Sequence, residues 1–300
     1  MRTKFFLVNL FLVILIIKSH GQGTFDLVVV DTQGKGKNLK LIPGTERLLT
    51  DRDAYDNQPN FINEFQLVFS ASDENGNHDI IVYNFENQKF TNLTKTVDRS
   101  EYSPAITECG QFIASVVVEP DNRQRLWLYP TNFGEPELLY DDIEPVGYYD
   151  WYDNKAAMFV LGEPNELIYA KSRGDILKID QNVGRSIKRR PKTDQITYLS
   201  MDQKQDFPGG SAYSLRGFDF KDDNQIDLGF GLPGAMDFIW LDKQVLLMGK
   251  GNKVFSRKWN EDSWIEIGEL TIPSHKNISR MAYSADLNVL VAVMERKNNN

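Results

Sequence analysis

Beyond an apolar opening stretch, the chain reads as short runs of β-branched and aromatic residues separated by clusters of Gly, Asn, Asp and Pro. The three-to-four spacing of an amphipathic helix is scarcely visible, so the pattern predicts strands and turns. The runs also repeat. Gln58-Pro59-Asn60-Phe61, followed by Gln66-Leu67-Val68-Phe69-Ser70-Ala71, returns 45 positions later as Ser103-Pro104-Ala105-Ile106, followed by Gln111-Phe112-Ile113-Ala114-Ser115-Val116. A further 45 positions on stand Tyr148-Tyr149-Asp150-Trp151 and then Ala156-Ala157-Met158-Phe159-Val160. Three copies in constant register mark a repeated structural unit.

Each copy continues alike, with a turn, a third β-rich run (79–83, 125–129, 166–169), another turn and a short final run (90–94, 137–140, 176–179). Four short strands per unit make a propeller blade. A fourth unit is read in 196–201, 213–220 and 225–230, with an inner strand near 186–190; a fifth occupies 236–241, 245–248, 254–259 and 264–270. The two ends complete each other, because 281–286 and 289–294 match the first two strands of a blade and 25–30 and 38–50 the last two. The expected fold is all-β: a six-bladed β-propeller of four-stranded antiparallel blades, its ring closed by pairing of N- and C-terminal strands. Closure removes an open sheet edge that would otherwise invite aggregation.

Pro59-Asn60-Phe61, Asp79-Ile80-Ile81-Val82-Tyr83, Leu93-Thr94 with Leu49-Thr50, and Ser284-Ala285-Asp286-Leu287-Asn288 carry a family likeness. They resemble the Pro-x-Phe, Asp-Ile-Tyr-Val, terminal Leu-Thr and Ser-Pro-Asp-Gly-Lys signals of TolB-like, WD-like propeller repeats. The likeness covers nearly all of the chain after its leader and is strongest in the first two blades. Glu108-Cys109-Gly110-Gln111 stands where the Asp-Gly-Lys turn would be, so Cys109 is expected in a turn and not as a nucleophile. The resemblance implies a periplasmic or secreted propeller that binds protein. TolB itself carries a small α/β domain ahead of its propeller and has a peptidoglycan-associated lipoprotein as partner. Here strand-like Phe25 follows directly on the leader, so the resemblance implies the fold and the habit of binding, not TolB's role in the envelope.

Arg2 and Lys4 precede the apolar stretch 5–17, broken only by Asn9, and Lys18-Ser19-His20-Gly21 follows. That is the charged, apolar and small-residue order of a secretory signal peptide, with a cut expected before Gln22. The apolar run falls short of the roughly 20 residues that span a bilayer. The expected division is a signal peptide over 1–21 and one propeller domain over 22–300, periplasmic or secreted, with no membrane span after cleavage. Cys109 is the only cysteine, so no internal disulfide forms, which favours a bacterial envelope protein over a small secreted animal domain. The formal net charge of −8 includes Arg2, Lys4 and Lys18, so the remainder is more negative still and repels phosphate backbones, which excludes nucleic acid as a partner. The short run Lys188-Arg189-Arg190-Pro191-Lys192 reads as a solvated turn.

Chemistry is sparse. After the leader only His78 and His275 are available, no Gly-x-Ser-x-Gly elbow occurs, and one cysteine with two distant histidines gives no zinc-ligand spacing, so no catalytic or metal-ligating residue is named. Carboxylates are the richer set. In a four-stranded blade the links between second and third strands, and between one blade and the next, emerge on one face. That face collects Asp51, Asp53, Asp56, Asp73, Glu74, Asp98, Glu101, Glu119, Asp121, Asp141, Asp142, Glu144 and Glu163, diluted by Arg52, Arg99 and Arg123. Such a rim attracts a basic protein segment, or holds Ca²⁺ where several oxygens converge. No Asp-x-Asp-x-Asp-Gly loop is present, so no cofactor is assigned, with Ca²⁺ the one ion that the carboxylates suggest.

Tyr55, Tyr102, Tyr148 and Tyr149 stand at the entrances of the inner strands and are candidates to line the axial mouth, whereas Phe61, Trp151 and Tyr283 share a repeat position and are expected in the core. The candidate binding set is Tyr55, Asp56, Glu101, Tyr102, Glu144 and Tyr148. Asp206-Phe207-Pro208-Gly209-Gly210-Ser211 reads first as an ordinary insertion and second as a loop to reach over the rim. Asn92-Leu93-Thr94 and Asn277-Ile278-Ser279 match the N-glycosylation triplet. The expected function is a protein- or peptide-binding scaffold acting through one acidic face. The alternative is a propeller enzyme of the metal-dependent lactonase or sugar hydrolase type. A deep axial pocket with converging carboxylates would mark the enzyme, and a broad shallow rim the scaffold.

Overall fold

Antiparallel pairing organises residues 23–297, the part of the chain that this computed structural model describes, into six sheets. Blade 1 runs through Asp56–Phe61, Gln66–Ser72, His78–Asn84 and Lys89–Asn92; blade 2 through Ser100–Ile106, Phe112–Val118, Gln124–Pro130 and Glu137–Leu138. Blade 3 comprises Val146–Tyr152, Lys155–Val160, Glu166–Ser172 and Asp175–Gln181, and blade 4 Val183–Arg189, Gln195–Phe207, Gly210–Asp219 and Asn224–Phe230. Blade 5 is Phe238–Trp240, Val245–Lys250, Lys253–Lys258 and Ile265–Glu269. Each inner strand touches the inner strands of the blades before and after it, so the six sheets close into a ring. Apart from a 3-10 turn at Gly36–Asn38, the described residues are strands and connecting loops.

Blade 6 is the closing blade. His275–Ser284 and Val289–Arg296 from the C-terminal end pair with Phe25–Gln33 from the N-terminal end, in unbroken register from Phe25↔Glu295 to Asp31↔Val289. Its fourth position holds two fragments, Lys40–Leu41 and Arg47–Leu48. One apolar cluster fills each gap between neighbouring blades. Trp151 lies in the cluster between blades 2 and 3, Phe61 packs between blades 6 and 1, and Tyr283 between blades 5 and 6. All three therefore face the preceding blade, which is what one shared repeat position requires. The gap between blades 1 and 2 is filled more thinly, by Val68, Ile80 and Ile113.

The Asp-Ile and Leu-Thr signals share one physical origin. In blade 1, Thr94 Oγ1 accepts the Ile80 N–H at 3.0 Å and donates to Asp79 Oδ1 at 3.0 Å, while Asp79 also accepts the Thr96 N–H at 3.0 Å. In blade 6, Thr50 Oγ1 accepts the Leu27 N–H at 2.9 Å, and Asp26 accepts from Thr50 Oγ1 and the Arg52 N–H. The aspartate that opens the third strand thus fastens the threonine that ends the fourth. Within blade 1 this network also takes the Asn92 side chain of the Asn-x-Thr triplet, whose Nδ2 donates to Asp79 at 2.7 Å.

Two expectations are corrected. The 206–211 segment is the tip of a long hairpin, paired from Lys204↔Tyr213 to Phe207↔Gly210. It leans on blade 5 and the link to it, where Lys250 Nζ donates to the Gly209 carbonyl and the Gly234 N–H to the Ser211 carbonyl, and not over the first three blades. The basic run 188–192 is a turn only at Pro191-Lys192, where Lys192 is exposed. Arg190 is buried between Trp240 and Trp259 and donates to the Lys243 carbonyl, and Arg189 pairs with Glu108 and covers Tyr152. Cys109 is exposed in the turn between the first two strands of blade 2. The leader assigned to 1–21 lies outside the described residues, among which no helix is long and apolar enough to cross a membrane.

Candidate functional site

The inner strands are irregular where they approach the axis. Pairing slips between Asn57 and Asn60, between Tyr102 and Ala105, and between Val146 and Tyr148. In the first two cases the extra residue precedes a proline and takes a left-handed backbone, Gln58 at φ 60° and Ser103 at φ 53°. Such bulges re-aim side chains and cluster at functional sites. Here they help bring one residue from each blade into a tier that lines a narrow axial cavity of about 80 Å³: Gln58, Ser103, Tyr148, Arg185, Asp237 and Arg280.

Contacts knit the tier around and across the ring. Gln58 Oε1 accepts the Ser103 N–H at 2.8 Å, and Arg185 Nε donates to both oxygens of Asp237 at 3.1 Å. Arg280 Nη1 donates to Asn57 Oδ1 at 3.1 Å and Nη2 to the Tyr148 hydroxyl at 3.2 Å. Blades 3 and 6 stand opposite one another in a six-bladed ring, so the Arg280–Tyr148 contact spans the axis. Further along the cavity, half-buried Asp150 accepts the Trp151 and Arg189 N–H groups at 2.8 Å; desolvation raises its pKa and nearby Lys188 opposes the rise.

No family model matches the chain and no curated relative is found by sequence. Solved structures do match. A protein described as TolB from Agrobacterium tumefaciens is similar over 93% of this chain and 100% of its own, with a TM-score of 0.65 at 10% identity. The fold is that of the TolB-like six-bladed propellers. A chain of a nidogen–laminin complex is similar over 83% of this chain and 94% of its own (TM-score 0.57, 10% identity). An oligogalacturonate lyase in complex with manganese matches over 92% and 98% (TM-score 0.50, 9% identity). At such identities the likeness is one of fold.

In this TolB-like propeller the six candidate residues separate. Tyr148 lines the axial cavity. Tyr55 is not among the lining residues: burial pushes its phenol up to about 12, Tyr148 and Tyr102 add to the rise, and Arg280 and Arg185 oppose it. Tyr102 packs against His78 with the rings tilted, centroids 4.6 Å apart, and its hydroxyl lies 3.0 Å from Nδ1. His78 is buried, and that burial lowers its pKa.

The three carboxylates stand away from the axial cavity. Asp56 is fully buried in a two-pronged pair with Arg52, in which Nε donates at 3.1 Å. Glu101 is fully buried beneath the link to blade 2, held by Thr96 Oγ1 at 2.9 and 3.0 Å and the Tyr129 hydroxyl at 3.1 Å, and burial raises its pKa to about 7. Glu144 is exposed, 3.9 Å from Arg125. Among the described residues no group of three or more His, Cys, Asp or Glu is placed to hold a metal ion.

Much of the acidic rim is compensated locally. Asp51 pairs with Arg296, Asp98 with Arg99, Glu119 with Arg125, Asp121 with Arg123 and Asp141 with Arg173. Asp73 caps its own turn by accepting the Asn75 and Asn77 N–H groups. Glu74, Asp142 and Glu163 stay exposed. Arg185, Asp237 and Arg280 were not among the sequence candidates. The one available signal was proline inside the inner-strand runs at 59 and 104, which marks a bulge.

Proposed function

We propose that the chain is an exported binding module that receives a protein or peptide partner on the face carrying the blade-to-blade links. The observation that carries this reading is the shape of that face, whose axial opening is narrow and bridged by Arg280 and Tyr148. The contact surface available to a ligand is therefore the wide ring of loops around it. Val97, 87% exposed, and Leu161 stand on those loops beside free carboxylates such as Glu74 and Asp142, a mixture suited to a protein interface. The nidogen chain of similar fold, seen in a complex with laminin, is in keeping with this use. The catalytic alternative needs carboxylates free to converge on a deep pocket. The two that line the axial cavity, Asp150 and Asp237, are taken up by backbone N–H groups and by Arg185.

Photo-crosslinking side chains in place of Glu74 or Asp142 on the link face, and of Gln88 or Asp222 on the opposite face, test this in the envelope fraction of the producing cell. An adduct of defined mass is expected from the first pair alone. Labelling from neither pair, or from the second alone, removes the reading.

A further inference from the structure

Charge in the axial cavity does not balance. Arg185 is neutralised by Asp237, and Lys188 faces Asp150. Arg280 meets only neutral acceptors, the Asn57 carboxamide and the Tyr148 hydroxyl, and among the described residues no carboxylate lies within ion-pair distance of it. A guanidinium carries five N–H donors, so its capacity is largely unspent in these two contacts. Its low charge density and planar fork match a carboxylate in two-pronged contact.

A second observation points to the same space. Ser103 Oγ, on the left-handed bulge of blade 2, is buried, has no hydrogen-bond partner and belongs to a residue that lines the cavity. A buried hydroxyl without a partner is costly and needs an explanation. Gln58 does not relieve it: its Oε1 accepts the Ser103 backbone N–H, and neither end of its carboxamide bonds the hydroxyl. Tyr148 adds a hydroxyl that can turn from accepting to donating. The cavity is narrow and admits a planar group of two oxygens.

We propose that the axial cavity is a monocarboxylate site, with Arg280 supplying the charge and the Tyr148 and Ser103 hydroxyls supplying further hydrogen bonds. This deepens the reading given under the proposed function, by naming what a partner inserts, and rests on that reading only for the source of the carboxylate. One unneutralised cation selects a single negative charge, so inorganic phosphate is a poorer ligand. A carboxylate entering from the link face takes over the Arg280 contacts to Asn57 and Tyr148 and opens the transaxial bridge.

The test is thermal melting of the protein in sodium acetate against sodium chloride and sodium phosphate at equal ionic strength. A ligand bound only by the folded state raises stability by mass action, so acetate at about ten times its Kd should raise Tm by a few degrees, and the other anions by less. R280Q should abolish the acetate shift and R280K retain part of it. Because Arg280 also ties blades together, S103A and Y148F serve as variants that keep the charge, and each should weaken acetate several-fold. An acetate shift no larger than that of chloride, or one that survives R280Q or is unchanged in both S103A and Y148F, overturns the site. A short peptide with a free C-terminus, its amide, and an amidated peptide with an internal Asp then separate a terminal from a side-chain carboxylate. Acetate binding without any cross-linked partner upholds the site and assigns it to a small acid. Cross-linking without acetate binding overturns the site and leaves the binding face intact.

Discussion

Glu101 and His78 lie on either side of the blade 1–blade 2 gap and respond to pH in opposite senses. The Glu101 carboxyl holds its proton to about pH 7 in the folded chain, against 4.5 when unperturbed, because burial outweighs the hydrogen bonds from Thr96 and Tyr129. The unfolded chain releases that proton first, so the stability contributed by neutral Glu101 is complete below 4.5 and is lost as pH rises through about 7. E101Q keeps the size without the charge, and the Thr96 and Tyr129 hydroxyls can turn to accept from the amide. The variant should be more stable than the parent at pH 8, by on the order of 2–3 kcal/mol, and equal to it near pH 4. Thermal melts across that range check it; an advantage of the same size at both ends would refute the assignment. For His78 the folded pKa is lowered by burial, so its contribution is complete above 6.5 and is lost as pH falls from 6.5 through the lowered folded value. E101Q should therefore leave the His78 loss as the dominant slope below 6.5, which the parent shows partly cancelled by the opposite Glu101 slope between 4.5 and about 7.

At the scale of the strand, what could be read in the sequence follows from what is repeated. The aspartate–threonine fastener recurs as Asp79 with Thr94 and as Asp26 with Thr50, and those blades were placed correctly from their signals. T94V leaves the Ile80 N–H without its side-chain acceptor and removes one of the donors to Asp79, and should cost about 1–2 kcal/mol by chemical denaturation. T91V, on the same strand but exposed, should stay within about 0.5 kcal/mol of the parent. Equal effects from the two would show that the fastener contributes nothing. Blade 4 was harder to read because residues 202–206 extend its hairpin beyond the packed layers. Both faces of that ribbon meet solvent, so no apolar alternation marks it as strand. Arg190 misled for the opposite reason: its tryptophan partners, Trp240 and Trp259, belong to the next blade and no local pattern announces them.

The axial tier belongs to the whole molecule, since Asn57 and Arg280 meet only once the ring has closed, and a register read along three blades does not reach blades 4 to 6. Closure itself rests on a buried clasp. Asp26, fully buried, accepts from His275 Nε2 at 2.8 Å, from Arg296 Nε at 3.0 Å and from the Arg52 N–H at 3.0 Å, so one carboxylate holds residues from both ends of the chain. D26A strands these donors and should cost roughly 3–5 kcal/mol, as breaking a buried pair does. How that loss appears distinguishes two kinds of ring. In a closed propeller each blade is packed on two neighbours, with one apolar cluster in each of the six gaps. Blade 6 then cannot melt without exposing the flanks of blades 1 and 5. D26A should lower a single calorimetric transition without splitting it, and deletion of 277–300, which removes most of the inner strand and all of its partner, should abolish cooperative unfolding altogether. A separate early transition in D26A, or an unchanged melt after the deletion, would mean that blades 1 to 5 form a stable open arc and that terminal pairing only decorates it.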